Sequence, residues 1–369
     1  MKLIKSGMAK KHHGKFGNQF MKMPSKKFWK NKKIIVTGHT GFTGSWLSMV
    51  LIFFGAKIYG ISLKPNTKPS LFNLLNLRKK IKKNYFCDIN NLNRMKKIFN
   101  KVKPDAVFHL AAQPLVIHSI QNPIDTFKTN ILGTANVCEA SRNLQKLKRL
   151  LIVTTDKCYE NKNSKKIRFF NEDDPLGGNE PYSSSKASAE MVVNAYKNTF
   201  FKNKRIFITT ARAGNIIGGG DWANDRLMSD IFRSLYENKK LTIRYPNSTR
   251  PWQHVLDVVN GYILLAESNN TGAWNFGPIT KNSYRVIDLL KLVKKKNRRL
   301  NWLIRKKGQK NESINLNLNV KKSLKKLKWK PKWNLNKTIQ NTYDWYSYFY
   351  NYKNIYGFTF KQIKEFYKK

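Results

Sequence analysis

"KKIIVTGHTGFTGSWLSMVLIFFGAKIYGIS" runs from Lys32 to Ser62. It opens on an apolar run, Ile34 to Val36, that ends at Gly38, the pattern of a strand buried on both faces. Gly38, Gly41 and Gly44 punctuate the next residues, Ser45–Phe54 has helical apolar content, and Gly55–Ser62 reads as a second strand. Strand, glycine turn, helix and strand make one unit of a parallel sheet. The turn needs glycine for its tight bend and for close approach of backbone to a pyrophosphate. The N-terminus of the following helix then faces the phosphate charge. A dinucleotide is the ligand this stretch implies.

The alternation continues outward. Leu92–Val102 reads as a helix, Asp105–Ala112 as a strand, Pro123–Ser141 as one long amphipathic helix, Arg149–Thr155 as a strand, Pro181–Phe200 as a helix and Ile206–Arg212 as a strand. This predicts an α/β chain with a Rossmann-type, doubly wound parallel sheet and right-handed crossovers. A smaller C-terminal lobe, less regular and rich in Trp, Pro and basic residues, would bind the substrate. Residues 34–217 are expected to form the dinucleotide-binding domain, with 253–279 returning to it; 218–252 and 280–350 would form the lobe. Residues 1–33 hold eleven Lys and no acid. They read as a basic disordered tail or a mis-assigned start, with Met21 and Met23 as later starts, and 351–369 reads as a basic C-terminal tail.

The charge is extreme: 71 Lys and Arg against 21 Asp and Glu, formally +50. Such a balance raises nucleic acid or an acidic membrane as partner. Lys, Asn, Ile, Phe and Tyr are abundant together, however, which reads as compositional drift with Lys on solvated faces. No nucleic acid and no membrane partner is expected, and an anionic substrate would be attracted either way. No apolar run reaches the roughly 18–20 residues of a membrane span. Cys87, Cys138 and Cys158 show neither metal-ligand spacing nor a disulfide framework, so no metal and a reducing, cytoplasmic setting are expected.

The second strand ends "GISLKP", with Ser62 and Lys64 where an acid would hold a ribose 2′-hydroxyl. NAD is the expected cofactor, and NADP stays open because Lys64 can face a 2′-phosphate. Asp88 either lies near the adenine or caps the helix that follows.

Tyr followed by Lys four residues on occurs twice, at Tyr182/Lys186 and Tyr236/Lys240. With this much Lys, about two such pairs arise by chance. Context separates them. The second ends a polar helix at "YENKK" and reads as a solvated pair. Tyr182 follows Pro181 at a helix start, so one turn puts Lys186 on its face. Thr155 stands upstream at the C-terminal end of a strand, where open parallel sheets bind ligands. An ammonium and a cationic nicotinamide would favour the phenolate, letting Tyr182 act as a base.

The order of "HLAAQP", "TNILGT", "TTDK", "PYSSSK", "ARAGNIIGGGDW" and "RPWQHVLD" resembles the extended short-chain dehydrogenase/reductases that act on nucleotide sugars, over about Phe28–Tyr346. "GHTGFTGSW", "TTDKCYEN", "GGNEPYSSSK" and "GNIIGGGDWANDR" resemble the CDP-glucose 4,6-dehydratase branch in particular. That resemblance implies oxidation at carbon 4 of the sugar, loss of water across carbons 5 and 6, and hydride return to carbon 6. Such enzymes feed deoxysugars into surface polysaccharide, the O-antigen of lipopolysaccharide among them. The dTDP-glucose relatives carry Asp-Glu where this chain has Asp156-Lys157, and simple epimerases lack the pair. By the resemblance Asp156 is the acid and Lys157, when neutral, the base for carbon 5; a plain Asp–Lys ion pair is the alternative, with Tyr159 the next candidate base.

The same resemblance places Gly38, Thr40, Gly41, Phe42, Gly44, Ser62, Asp88, Ala111, Ala112, Gln113, Asn130 and Arg212 at the cofactor. It places Asn215, Arg226, Arg250 and His254 at the substrate, the arginines suited to a diphosphate. His109 and His118 read as packing residues. Helices 123–141 and 181–200 carry more apolar positions than one sheet face covers, and in such relatives they pair between subunits. A homodimer or dimer of dimers is expected. The rival readings are a 4-epimerase, a 4,6-dehydratase of another nucleotide sugar, and a non-catalytic cofactor-binding protein with an RNA-binding surface.

Overall fold

The computed structural model describes residues 21–161, 168–202, 205–279, 284–305 and 316–368. Seven parallel strands build its central sheet: β1 Lys33–Thr37, β2 Lys57–Ser62, β3 Lys83–Phe86, β4 Ala106–His109, β5 Arg149–Val153, β6 Phe207–Ala213 and β7 Gly272–Phe276. They lie in the order β7-β6-β5-β4-β1-β2-β3, so the expected Rossmann-type doubly wound sheet is present. The chain steps outward from β1 to β3, then crosses back to the other side of β1 for β4 and continues to β7. That reversal opens a crevice beyond the carboxyl ends of β1 and β4, the ligand position of open parallel sheets.

The central strands are apolar because both faces are covered. Ile34 to Val36 and all of β4 are buried. The helices include α1 Phe42–Phe53, α2 Leu92–Val102, α3 Pro123–Phe127, α4 Gly133–Ser141, α5 Pro181–Thr199, α6 Leu227–Tyr236, α7 Val255–Glu267, α8 Leu335–Tyr352 and α9 Tyr356–Tyr367. In α2 the residues Met95, Ile98, Phe99 and Val102 form the buried stripe, and Asn91 caps the first turn by accepting from the Arg94 N–H. α7 is buried from Val255 to Ala266 and packs on α1, β5 and β6.

Three expectations are corrected. The single helix over 123–141 is two helices joined by a wider π turn at Lys128–Leu132. Its middle residue, Asn130, bonds outside the helix, and the extra residue in the turn allows this. Of the expected basic tail, residues 1–20 lie outside the described residues, and 21–33 are not a tail. Trp29 is fully buried, and its indole N–H donates to the Glu267 carboxylate, which also accepts from the Ser25 N–H. Nor is 351–369 a bare tail. Among its lysines, Phe360, Ile363 and Tyr367 recur at helical spacing, so α9 has an apolar face. Ile363 and Phe366 enter the core, and Phe360 and Tyr367 pack on Phe53 of α1.

Candidate active site

The glycine turn fills the N-terminal side of the crevice. Gly38 has φ +73°, and a Cβ there would sit 2.6 Å from the Ala111 nitrogen. A Cβ on Gly44 would run into the Gly38 carbonyl oxygen. Gly41 is the N-cap of α1 with no side chain over the helix end, which leaves N–H groups available to a phosphate. The Thr40 hydroxyl bonds Ser62 at 2.8 Å and the Leu63 carbonyl at 3.1 Å, tying the turn to the end of β2. Phe42 lies against the start of "GGGDW": a Cβ on Gly218 would meet its ring at 3.3 Å. Asp88 is exposed and accepts from the Asn90 N–H at 2.9 Å. Asn91, not Asp88, caps α2.

Beyond β4, Ala111 and Ala112 are half-buried beside the turn. The Gln113 N–H donates to Asn130 Oδ1 at 2.8 Å, and Asn130 Nδ2 donates to the Gln113 carbonyl at 3.1 Å and Ser185 Oγ at 2.9 Å. Asn130 is 1% exposed. It clasps the loop after β4 to α5. The Gln113 side chain is engaged by Leu115 and Thr126. His109 is a packing residue, lowered to about 3 by burial and then by Lys186, and so neutral. His118 is not: its side chain is 43% exposed and stands 3.8 Å from Asp125.

The reactive groups gather where β5 ends and α5 begins. Glu180 caps α5, accepting from the N–H groups of Tyr182 and Ser183 at 2.8 and 3.0 Å and from the Ser183 hydroxyl. This holds Tyr182 in the first turn. Burial pushes the Tyr182 phenol up to about 12, opposed by a hydrogen bond with Thr155 and by the Arg226 charge. Lys186, one turn on, is buried, and its Nζ donates to the Val153 carbonyl at 2.9 Å. Burial lowers its ammonium to about 8 against the pull of Glu190. Thr155 opens the turn Asp156–Cys158; its Oγ1 accepts from the Lys157 N–H at 3.3 Å and donates to Asp156 Oδ1 at 3.1 Å. Asp156 Oδ2 is buried with no hydrogen-bond partner. Burial raises this carboxyl to about 6 despite Lys157, Thr155 and Arg250. A Cβ on Gly214 would stand 3.1 Å from that oxygen and would run into the Pro251 ring, so only glycine fits beside it. Lys157 is half-buried.

A phenol, an ammonium, a hydroxyl and a protonatable carboxyl therefore meet beside a phosphate-binding turn. The chain matches the family model described as GDP-mannose 4,6 dehydratase over residues 35–342. It is 43% identical over 267 residues to the CDP-glucose 4,6-dehydratase of Salmonella typhimurium, covering 69% of this chain and 74% of that protein. The chain belongs to this family of 4,6-dehydratases. It is also 31% identical to the dTDP-D-glucose 4,6-dehydratase of Dictyostelium discoideum, covering 67% of this chain and 58% of that protein. The fold is that of the UDP-glucose 4-epimerase of Thermotoga maritima, with TM-score 0.75 and 24% identity over 85% of this chain and 98% of that one.

Within this dehydratase framework several expected site residues are engaged inside the protein. Arg212 is 3% exposed, and its guanidinium is taken up by Glu190, the Tyr159 hydroxyl and the Glu172 carbonyl. It braces the interior. His254 is fully buried between Trp46 and Trp333, and its Nδ1 accepts from the Leu256 N–H at 3.1 Å. It caps α7 inside the core. Tyr159 stacks on Phe170 and donates to Asn275 at 2.7 Å, and burial pushes its phenol up. Arg250 is buried with its charge felt at Asp156, and Arg226 is half-buried with its charge felt at Tyr182. Asn215 is half-buried just past the end of β6. Glu180 and Glu190 were not anticipated. An acid directly before Pro181 is an N-cap signal, and an acid four residues after Lys186 shares its helix face.

Proposed function

We propose that this chain is an NAD-dependent CDP-glucose 4,6-dehydratase, a hydro-lyase that yields CDP-4-keto-6-deoxyglucose. The observation that carries this reading is the placement of Asp156 and Lys157 in the turn after β5, beside Tyr182 and Lys186. An epimerase needs the oxidising pair alone. A dehydratase also needs an acid and a base. Asp156, raised to about 6 by burial, is suited to giving a proton to a leaving hydroxyl.

The turn of Gly38, Thr40, Gly41, Phe42 and Gly44, with Ser62, Ala111 and Ala112, fits NAD: a side chain on Gly38 or Gly44 would collide with the backbone of Ala111 or of Gly38 itself, so only glycine lets the turn bend tightly enough for backbone to approach a pyrophosphate. NAD held there would supply the acceptor for the carbon 4 hydride and the donor of that hydride to carbon 6. Tyr182 takes the 4-hydroxyl proton, aided by Thr155 and the Lys186 ammonium. Lys157 takes the carbon 5 proton, and Asp156 protonates the 6-hydroxyl so that it leaves as water. Arg226, Arg250 and Asn215 hold the nucleotide diphosphate. In this reading 34–217 with 253–279 carries the cofactor, and 218–252 with 280–350 the substrate.

Ile120, Ile124, Leu132 and Met191 project apolar side chains from the helical face around α3, α4 and α5, at 47%, 76%, 57% and 65% exposure. They support a homodimer formed through these helices. Among the described residues no helix is long and apolar enough to cross a membrane. Three free, buried cysteines support a cytoplasmic setting.

The test is incubation of the protein and NAD with CDP-, dTDP-, UDP- and GDP-glucose, each product being weighed by mass spectrometry. Loss of one water from CDP-glucose is expected. An unchanged mass with an inverted carbon 4 would make it an epimerase, and loss of water from another nucleotide sugar alone would move the substrate assignment. Light scattering at micromolar protein should give at least a dimer mass.

A further inference from the structure

We infer that Glu190 is a positioning residue for the oxidation: it fixes from behind the backbone that orients Lys186 and Thr155, and its charge keeps Lys186 an ammonium. The inference rests on the reading that Tyr182 and Lys186 perform that step.

Tyr182, Lys186 and Glu190 stand one helical turn apart along one face of α5. Glu190 is 5% exposed, and both carboxylate oxygens are bonded. Oε1 accepts from Thr154 Oγ1 at 2.5 Å and Arg212 Nε at 2.9 Å; Oε2 accepts from Thr210 Oγ1 at 2.7 Å and Arg212 at 2.9 Å. Thr154 is the middle of three residues. Val153, before it, gives the carbonyl that holds Lys186, and Thr155, after it, bonds the Tyr182 phenol. The Glu190 carboxylate thus grips the centre of the segment that aims both reactive groups.

The same carboxylate is anionic. Burial alone would raise it, but Arg212 and the Thr154 and Thr210 hydroxyls outweigh burial and hold it below the ordinary range. The groups that act on Lys186 are Glu190 on its own helix, which favours the ammonium, and Cys158 from the turn after β5, which acts in the same sense. The ring of His109 on β4 is neutral and feels the Lys186 charge. Removing the Glu190 charge lets burial lower Lys186 further, so the ammonium is lost at a lower pH.

Two variants test this: Glu190→Gln, and Glu190→Gln with Arg212→Gln, which leaves no unpaired guanidinium in the core. Circular dichroism and thermal unfolding establish which are folded. The first cofactor reduction is followed in a single turnover across pH, and the Lys186 amine titration by NMR of lysine-labelled protein. We expect kcat for reduction to fall about a hundredfold, since small misplacements of reacting groups cost that much, with KM for the nucleotide sugar little changed. The alkaline limb, where the rate stops rising with pH, and the Lys186 titration should both move down by about one pH unit. A folded variant with the wild-type limb and titration overturns the inference and leaves Glu190 a packing residue. The titration is read without substrate, so a wild-type protein inactive on every nucleotide sugar would refute the parent reading while the lowered titration still stood for Glu190.

Discussion

The two Tyr-x-x-x-Lys pairs have the same spacing and opposite surroundings. Tyr182 and Lys186 lie within one continuous helix, so the spacing becomes a shared face, and both are enclosed among groups that act on their protons. Tyr236 is the last residue of α6, and Lys240 lies past the helix end, exposed. Tyr236 stacks on Tyr350 with centroids 4.3 Å apart and rings 6° from parallel. In the proposed reaction one phenol transfers a proton, and the other packs on a ring. Spacing selects chemistry only where the helix continues through it and water is kept away.

The largest effect should separate the two tyrosines. Tyr182→Phe removes only the phenolic oxygen, and turnover should fall by about a thousandfold or more, while NAD still binds in a calorimetric titration. Next, Lys157→Met should stop overall turnover but spare the first cofactor reduction. The enzyme should accumulate reduced cofactor and a 4-keto sugar, and exchange of the carbon 5 hydrogen with deuterated water should cease. Continued exchange in a folded variant would remove Lys157 as the base. A smaller effect concerns pH. The working form of Lys186 is the ammonium, and its folded pKa is lowered to about 8. Tyr182 works as the phenolate, and its phenol is pushed up to about 12, so oxidation should climb about tenfold per unit up to about pH 8 and level off above it as the ammonium is lost, as read by stopped-flow absorbance. The smallest effects belong to Tyr236→Phe and Lys240→Met, which should leave kcat/KM within about twofold. Loss of activity in Tyr236→Phe with activity retained in Tyr182→Phe would invert the comparison.

The sheet was readable because strands buried on both faces appear as apolar runs ending in glycine, as at Ile34 to Gly38. β3 was not: its sequence, Lys-Asn-Tyr-Phe, sits at the sheet edge and is half-exposed. The π turn at Lys128–Leu132 depends on bonds from Asn130 to Gln113 and Ser185, distant contacts that no local periodicity encodes. The site shows the same division. Thr155, Asp156, Tyr182 and Lys186 occupy a strand end and a helix start, and topology brings those together in any parallel sheet. Arg212 and His254 belong to motifs as readable as the others, yet a motif gives a residue type and not a direction. Arg212 turns toward α5 and Tyr159, and His254 turns toward Trp46 and Trp333.

The packing of α9 on α1 bears on how the chain is made. α1, which carries the glycine turn, leaves the ribosome early, and its Phe53 and Phe54 find their ring partners Phe360 and Tyr367 only in the final residues of the chain. Those ring contacts therefore cannot form until α9 has been made. A stop codon read early, even one removing α9 alone, removes those contacts from the finished product.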